Sequence, residues 1–334
     1  MSVMPEAESK KRANIQIAFG LTLLLTAEFF MFQMTEPFPS WFYPFAWWSY
    51  ILMVDGLIYR LQGNSLIISR RRELLVMIPW SVTFWLIFEM VNIRMHNWHY
   101  VDVTDTLWLR WPGYFISYGT VLPGIFETTE LLSCLGLYSE VSTKPRVISK
   151  FWFPIFFAGG MLFLLSPLLF PRYCFPFIWV GFVFFLEPLN YIHGSPSLLR
   201  EWEEGNIRTP FLLLTAGLIC GALWEFWNYW ARTKWIYTVP FFDELKLFEM
   251  PLAGFLGFPP FAVECYVMYN FVSLFRFHRN WDKDNYLQGS GKRHSFGILV
   301  FFAIATVVFY FLAFRSIDSY TVRSFSPSVD FFAQ

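Results

Sequence analysis

The sequence predicts an all-α polytopic membrane protein of about nine transmembrane helices, arranged as two tandem four-helix repeats followed by one C-terminal helix. Composition, long apolar runs and an internal duplication support this prediction. Hydrophobic residues make up 56% of the 334 residues and charged residues 15%, with a mean hydropathy of +0.43. A soluble domain usually carries about 25% charged residues. The formal net charge of 0 offers no electrostatic basis for binding nucleic acid, so no nucleic-acid partner is expected.

Nine apolar runs are long enough to cross a bilayer, whose hydrocarbon core of about 30 Å needs roughly 20 residues of helix. The predicted spans are 14–34, 44–61, 73–93, 114–137, 150–169, 177–193, 209–231, 251–276 and 295–315. The first run is too long for a signal peptide and lacks its small-residue cleavage pattern. We therefore expect it to remain in the mature protein.

The distribution of basic residues predicts the orientation. Alternating loops place 17 of the 25 Lys and Arg residues on the side of the N-terminus and 8 on the other side. Because cytoplasmic loops carry the excess of basic residues, the N-terminus is predicted to be cytoplasmic. Nine spans in an inner (cytoplasmic) membrane then make residues 316–334 an external tail.

Spaced Pro, Trp and acidic residues occur twice along the chain. Phe38-Pro39-x-x-x-x-Pro44-Phe45-x-Trp47 recurs 132 residues later as Phe170-Pro171-x-x-x-x-Pro176-Phe177-x-Trp179. Glu89-x-x-Asn92, Trp98-x-Tyr100 and Pro123-x-x-x-Glu127 recur as Glu225-x-x-Asn228, Trp235-x-Tyr237 and Pro260-x-x-x-Glu264. The predicted units are membrane repeats at 14–140 and 150–280 and an extra helix at 295–315. With four spans each, the repeats share one topology and are expected to enclose a cavity between them.

The duplicated acids are the candidate catalytic residues. They are Asp55, Glu187, Glu127, Glu264, Glu89 and Glu225. A charged side chain at the bilayer centre costs roughly 2.5–3.5 kcal/mol, so these groups are expected to face the bundle interior. Burial favours the protonated form, and a neutral carboxylic acid can protonate an alkene or relay protons. The alternative is structural, because a protonated Glu that hydrogen-bonds an Asn or Tyr on another helix also joins helices.

The residues predicted to position a substrate accompany these acids. They are Asn92, Asn228, Trp98, Tyr100, Trp235 and Tyr237. The Glu and Asn of each Glu-x-x-Asn lie on one helical face. The Trp-x-Tyr pairs either anchor the chain at the membrane interface or form an aromatic rim. Such a wall stabilises a carbocation through its π faces.

Trp235-x-Tyr237, followed after a spacer by Pro251 and a Leu/Phe-rich helix, resembles the lycopene-cyclase-type membrane domain and, loosely, the membrane carotenoid hydratases. The family's acidic pair after the Pro falls here at Ala253-Gly254, and at Tyr114-Phe115 in the first repeat. The resemblance implies a helical membrane enzyme acting on an isoprenoid. It also implies that Glu89 and Glu225 stand in for the family's other helix-borne Glu.

These observations predict an integral membrane enzyme that carries out cyclisation, isomerisation or hydration of a hydrophobic isoprenoid or lipid. A proton-coupled transporter and a noncatalytic membrane scaffold subunit are the alternatives. No cofactor is implied. His96 and His99 share a loop with Asp102 and Asp105, but their spacing matches no ligand signature, and no metal is expected. The four cysteines have neither disulfide nor zinc spacing.

Overall fold

The computed structural model describes residues 6–241, 245–276, 281–282 and 296–323. Within these residues, seven helices are long and apolar enough to cross a membrane. The protein is therefore a helical, multi-pass membrane protein, as predicted. Parts of three predicted units lie outside the described residues: 242–244 and 277–280 of the second repeat, Ser295 of the extra helix and 324–334 of the tail.

Twelve α-helices and four short strands make up the described chain. The part before residue 140 contains α1 (Glu6–Phe32), α2 (Phe38–Gln62), α3 (Arg71–Met95), β1 (Trp98–Val101), α4 (Leu107–Tyr118) and α5 (Val121–Cys134). The next part contains α6 (Trp152–Leu169), α7 (Pro171–Cys174), α8 (Ile178–His193), α9 (Leu198–Glu203), α10 (Arg208–Trp230), β2 (Lys234–Tyr237), β3 (Lys246–Leu247), β4 (Met250–Pro251) and α11 (Phe258–Ser273). Helix α12 (Phe296–Tyr320) follows. Three 3-10 helices cover Phe175–Phe177, Leu252–Gly257 and Leu274–Arg276.

Two of the nine predicted spans are not among the seven. The span 44–61 lies inside α2, a helix of 25 residues whose Trp, Tyr and Asp side chains lower its mean hydropathy. The prediction of a single helix over 114–137 is wrong, because α4 ends at Tyr118 and α5 begins at Val121.

The hydroxyl of Ser81 on α3 separates α4 from α5. Ser81 is fully buried, and its Oγ donates to the carbonyl of Tyr118 at 2.6 Å and accepts from the amide of Leu122 at 3.0 Å. In a continuous helix that amide would donate to that carbonyl, four residues earlier. A side chain inserted into the helical ladder is a recognised cause of a kink. The break therefore depends on a residue about 40 positions away in sequence.

We expect Ser81→Ala to lower the free energy of unfolding by about 1–3 kcal/mol, because both backbone groups lose a buried partner. Thermal unfolding in detergent measures the change. Ser49→Ala is the matched control, since Ser49 is equally buried and its hydroxyl makes no hydrogen bond within the described chain. Equal stability of the two variants would contradict the role given to Ser81.

Close helix packing in the bundle depends on small residues. Helix α1 packs on α2, and α6 packs on α8. A Cβ added at Gly20 of α1 would lie 2.8 Å from the carbonyl oxygen of Ser49, and one at Gly160 of α6 would lie 2.4 Å from the amide of Phe185. Because association of helices in a membrane depends on van der Waals packing, Gly at these points lets the backbones approach.

A small sheet covers one end of the bundle, hereafter the sheet end. Strands β1 and β2 pair antiparallel, with Trp98 opposite Tyr237 and Tyr100 opposite Trp235. The chain that follows α12 adds to this sheet, because the amide of Tyr100 donates to Thr321 and the amide of Arg323 donates to Tyr100. The sequence predicted neither this pairing nor the short hairpin of β3 and β4.

Candidate functional site

A cavity of about 180 Å³ lies at the sheet end, next to the paired strands. Six Trp and five Tyr side chains contribute to its lining, and we call it the aromatic cavity. All four residues of the two Trp-x-Tyr motifs, Trp98, Tyr100, Trp235 and Tyr237, line it. The structure thus brings together two motifs that are 137 residues apart in sequence.

Glu89 lies directly behind the wall of the aromatic cavity. It is fully buried on α3, and its Oε1 accepts hydrogen bonds from Trp85 Nε1 at 2.9 Å, Trp98 Nε1 at 3.1 Å and the Tyr100 hydroxyl at 2.5 Å. The Tyr118 hydroxyl in turn donates to the Tyr100 oxygen at 3.2 Å. All four donors line the cavity. The carboxyl group is therefore connected to the cavity through phenol and indole groups.

Glu225 holds a corresponding place behind the other motif. It is fully buried on α10, and its Oε1 accepts a hydrogen bond from the Tyr237 hydroxyl at 2.8 Å. Its Oε2, like that of Glu89, is buried without a hydrogen-bond partner among the described residues. Neither Glu lines the cavity itself, so any proton exchange with a bound molecule passes through Tyr100 or Tyr237.

Asn92 and Asn228 hold the strands in place. Asn92 Nδ2 donates to the Trp98 carbonyl at 2.9 Å, and Asn228 Nδ2 donates to the Trp235 carbonyl at 2.8 Å. Each side-chain oxygen accepts from the amide of the same Trp. Both Asn are fully buried, and neither lines the cavity. They position the Trp-x-Tyr motifs, whereas we expected them to position a substrate directly.

Asp55 and Glu187 do not line the aromatic cavity. Asp55 is 11 residues along α2 from Pro44, which does line it, or about 16 Å along the helix. Its oxygens accept from the Ser65 hydroxyl at 3.0 Å and the Ile67 amide at 2.6 Å. Glu187 accepts from Ser197 at 2.6 Å and the Leu199 amide at 2.9 Å. Each acid thus fastens its helix to the segment that follows it, which is a loop for Asp55 and the start of α9 for Glu187.

These contacts predict a structural effect for Asp55. We expect Asp55→Ala to lower the free energy of unfolding by about 1–3 kcal/mol, because it leaves buried donors unpaired. Asp55→Asn should cost less, since its amide oxygen still accepts from Ile67. Thermal unfolding in detergent measures both variants. Loss of function in Asp55→Asn at unchanged stability would instead support the predicted catalytic role.

Glu127 and Glu264 are fully buried between helices and do not line the cavity. Neither side-chain oxygen of Glu127 makes a hydrogen bond within the described chain. Glu264 Oε1 accepts from the amide of Phe182 on α8 at 2.7 Å. The six predicted acids therefore separate into one pair at the cavity wall and four residues elsewhere in the bundle.

An ion pair that the sequence did not indicate lies at the lining of the cavity. Arg110 lines the cavity, and its guanidinium donates to both oxygens of Asp318 on α12, at 2.9 and 2.8 Å. Trp111 Nε1 and the Tyr114 hydroxyl also donate to Asp318, each at 3.0 Å. These residues are more than 200 positions apart, and no periodic pattern links them. Helix α12 is thereby joined to the cavity wall.

The geometry defines a multi-pass helical membrane protein with an aromatic cavity and two buried carboxyl groups hydrogen-bonded to its wall. In the described ranges, no group of three or more His, Cys, Asp and Glu residues is arranged to hold a metal ion. No protein-family model, curated protein or solved structure matches this chain.

Proposed function

We propose that the protein is an integral membrane enzyme that performs acid–base chemistry on an apolar, unsaturated lipid, such as an isoprenoid, bound in the aromatic cavity. One observation carries the proposal. The two Trp-x-Tyr motifs line a single cavity, and each of their tyrosines is hydrogen-bonded to a buried Glu. The resemblance to the lycopene-cyclase-type domain supports the same class of reaction, because it includes one of these Trp-x-Tyr motifs and implies that Glu89 and Glu225 stand in for the family's helix-borne Glu.

The wall of the cavity suits protonation of a carbon–carbon double bond. A proton delivered by a tyrosine hydroxyl produces a carbocation on the substrate. Indole and phenol rings attract a cation through their π faces, by about 0.5–2 kcal/mol for each favourable contact. General acid–base catalysis by a positioned group typically contributes 10²–10⁴-fold in rate. Cyclisation, isomerisation and hydration all begin with this step.

The charges around the cavity favour an uncharged substrate. Arg110 and Lys234 are the basic residues in its lining. Arg110 is held by Asp318, and Lys234 Nζ lies 2.6 Å from Glu249 Oε1. An anionic headgroup would have to displace a carboxylate from one of these pairs. A neutral hydrocarbon or alcohol needs no such exchange.

We further propose that the chain forms two homologous halves and crosses the membrane nine times. Matched contacts support the halves, because Asp55 and Glu187, Asn92 and Asn228, and Glu89 and Glu225 bind corresponding partners at sequence spacings that are equal or differ by one residue. The symmetric register of β1 and β2 agrees with a two-fold relation. Counting α2 and the broken α4–α5 as crossings brings the total to nine. The basic-residue distribution supports a cytoplasmic N-terminus in an inner membrane.

A proton-coupled transporter is the second candidate, and a specific observation favours it. The crossing formed by α4 and α5 is interrupted between the two helices. At the corresponding place in the second half, the 3-10 helix Leu252–Gly257 precedes α11. Discontinuous helices at matching positions of two repeats are a sign of a carrier binding site. A requirement for an ion gradient distinguishes this candidate from the enzyme.

The experiment compares purified protein with a variant whose cavity is filled. Gly113 lines the cavity, and a Cβ there would lie 3.7 Å from the ring of Trp41. We expect wild-type protein in detergent to convert a component of a total lipid extract without any gradient, and Gly113→Leu to lose that conversion. Gly159→Leu is the matched control, because a Cβ at Gly159 meets nothing within 4 Å. Gradient-dependent uptake into proteoliposomes without conversion would establish the transporter instead.

A further inference from the structure

The two Glu–Tyr pairs at the cavity wall differ in their hydrogen-bond donors. Within the described ranges, Glu89 accepts from three donors, Trp85, Trp98 and Tyr100, whereas Glu225 accepts from Tyr237 alone. Hydrogen bonds donated to a carboxyl oxygen stabilise the ionised form, and burial without them favours the neutral form. Among the described residues, neither Glu is in an ion pair that would reverse this difference.

The difference arises from residues at corresponding positions of the two repeats. The position of Trp85 holds Gly221 in the second repeat, at the same offset of 136 as the two Glu residues. The ring of Phe258 fills that space, because a Cβ on Gly221 would lie 2.3 Å from it. The Trp235 ring packs edge-on against Tyr43, 5.0 Å between centroids, and its indole makes no hydrogen bond to Glu225 among the contacts of the described chain. Two donors are therefore missing around Glu225.

A third difference concerns the tyrosines. Tyr118 donates to the Tyr100 oxygen, which directs the Tyr100 proton toward Glu89. At the offset of 137 that relates Trp98 to Trp235 and Pro123 to Pro260, the position corresponding to Tyr118 holds Phe255, which has no hydroxyl group. The Tyr237 oxygen therefore receives no hydrogen bond from the side chain at that position. A proton on Glu225 would donate to this oxygen, and the Tyr237 O–H would then turn toward the cavity.

We infer that the two halves have opposite roles: Glu225 supplies a proton to the bound molecule through Tyr237, and Glu89 removes one through Tyr100. This inference rests on the proposed enzymatic function. Tyr100 and Tyr237 are the groups that touch the substrate. Glu89 and Glu225 act through them and set the direction in which protons move.

The resulting reaction balances as an isomerisation. The Tyr237 O–H bond breaks and its proton forms a C–H bond at one carbon of a C=C, while the Glu225 O–H reprotonates the phenol oxygen. The cation formed on the neighbouring carbon then loses a proton from an adjacent C–H bond, whose electron pair forms the new C=C. That proton passes to Glu89 through Tyr100. Water exchange returns a proton from Glu89 to Glu225, so no oxidant, reductant or net water is consumed.

The test is infrared spectroscopy of the purified protein, which reports protonated carboxyl groups by their C=O stretching band and needs no substrate. We expect Glu225→Gln to remove a component of this band and Glu89→Gln to leave the band unchanged. Trp85→Phe removes one donor from Glu89 and should add a component. If Glu225→Gln does not fold, Glu225→Asp should shift the same component. Loss of band in Glu89→Gln, or no change in the Glu225 variants, would overturn the assignment of roles.

Turnover in deuterated water provides the second readout. Isomerisation should place one solvent deuterium in each product molecule and otherwise leave the molecular formula unchanged. Hydration would add the elements of water. A hydrated product would overturn the isomerisation step. If the infrared bands appear as expected but no lipid is converted, the proposed function fails and the difference in protonation remains. If a lipid is converted but the infrared bands differ from those expected, the enzymatic function stands and the division of roles is rejected.

Discussion

Replacement of Tyr100 by Phe is expected to lower turnover of the lipid substrate about 10²–10⁴-fold, the usual effect of removing a general acid or base. The Tyr100 hydroxyl links the cavity to Glu89, and the ring that remains in Phe preserves the packing. Tyr237→Phe should have an effect of the same order, because it removes the link to Glu225. Product formation by purified variants, normalised to folded protein, measures both.

Tyr320→Phe is the matched control, since Tyr320 is 61% exposed on α12 and does not line the cavity. Glu89 keeps two of its three donors in Tyr100→Phe, so the thermal unfolding temperature should change little. Turnover equal to wild type in both variants would exclude the phenol-linked acids from the chemistry. A loss that parallels a loss of folded protein would indicate a purely structural role.

Replacement of Asp318 by Ala is expected to lower the free energy of unfolding by about 3–5 kcal/mol. Removing one partner of a buried ion pair leaves the other charge uncompensated. The Arg110 side chain is only 9% exposed, and Asp318 also accepts from Trp111 and Tyr114. Thermal unfolding in detergent measures the change. The product yield of the folded fraction shows whether the cavity wall is disturbed as well.

The double variant Arg110→Leu with Asp318→Leu is the control for this result. Because two apolar side chains replace both charges, it should recover much of the lost stability. If Asp318→Ala and the double variant are equally unstable, the loss comes from the shape of the α4–α12 contact. If Asp318→Ala is as stable as wild type, the ion pair does not hold α12 in place.

The difference between prediction and structure is clear at the acids. The free-energy cost of a carboxyl group in hydrocarbon predicts that all six acids lie in the interior, and all six are buried. The same argument cannot distinguish Asp55, whose oxygens accept hydrogen bonds from a following loop, from Glu89, whose oxygen accepts them from the cavity wall. Both are acidic residues within apolar runs. Their partners lie on other segments, and hydropathy contains no information about those partners.

The sequence by itself determined that the chain is a helical membrane protein and that its Trp-x-Tyr and Glu-x-x-Asn motifs occur in pairs. Hydropathy and spacing are properties of neighbouring residues, and neighbouring residues are enough to specify a helix in lipid. Only the tertiary structure decided that the two Trp-x-Tyr strands pair, that Ser81 divides the span 114–137, and that Asp318 holds Arg110. Each of these depends on contacts between residues about 40 to more than 200 positions apart, and such contacts follow from how the helices pack against one another.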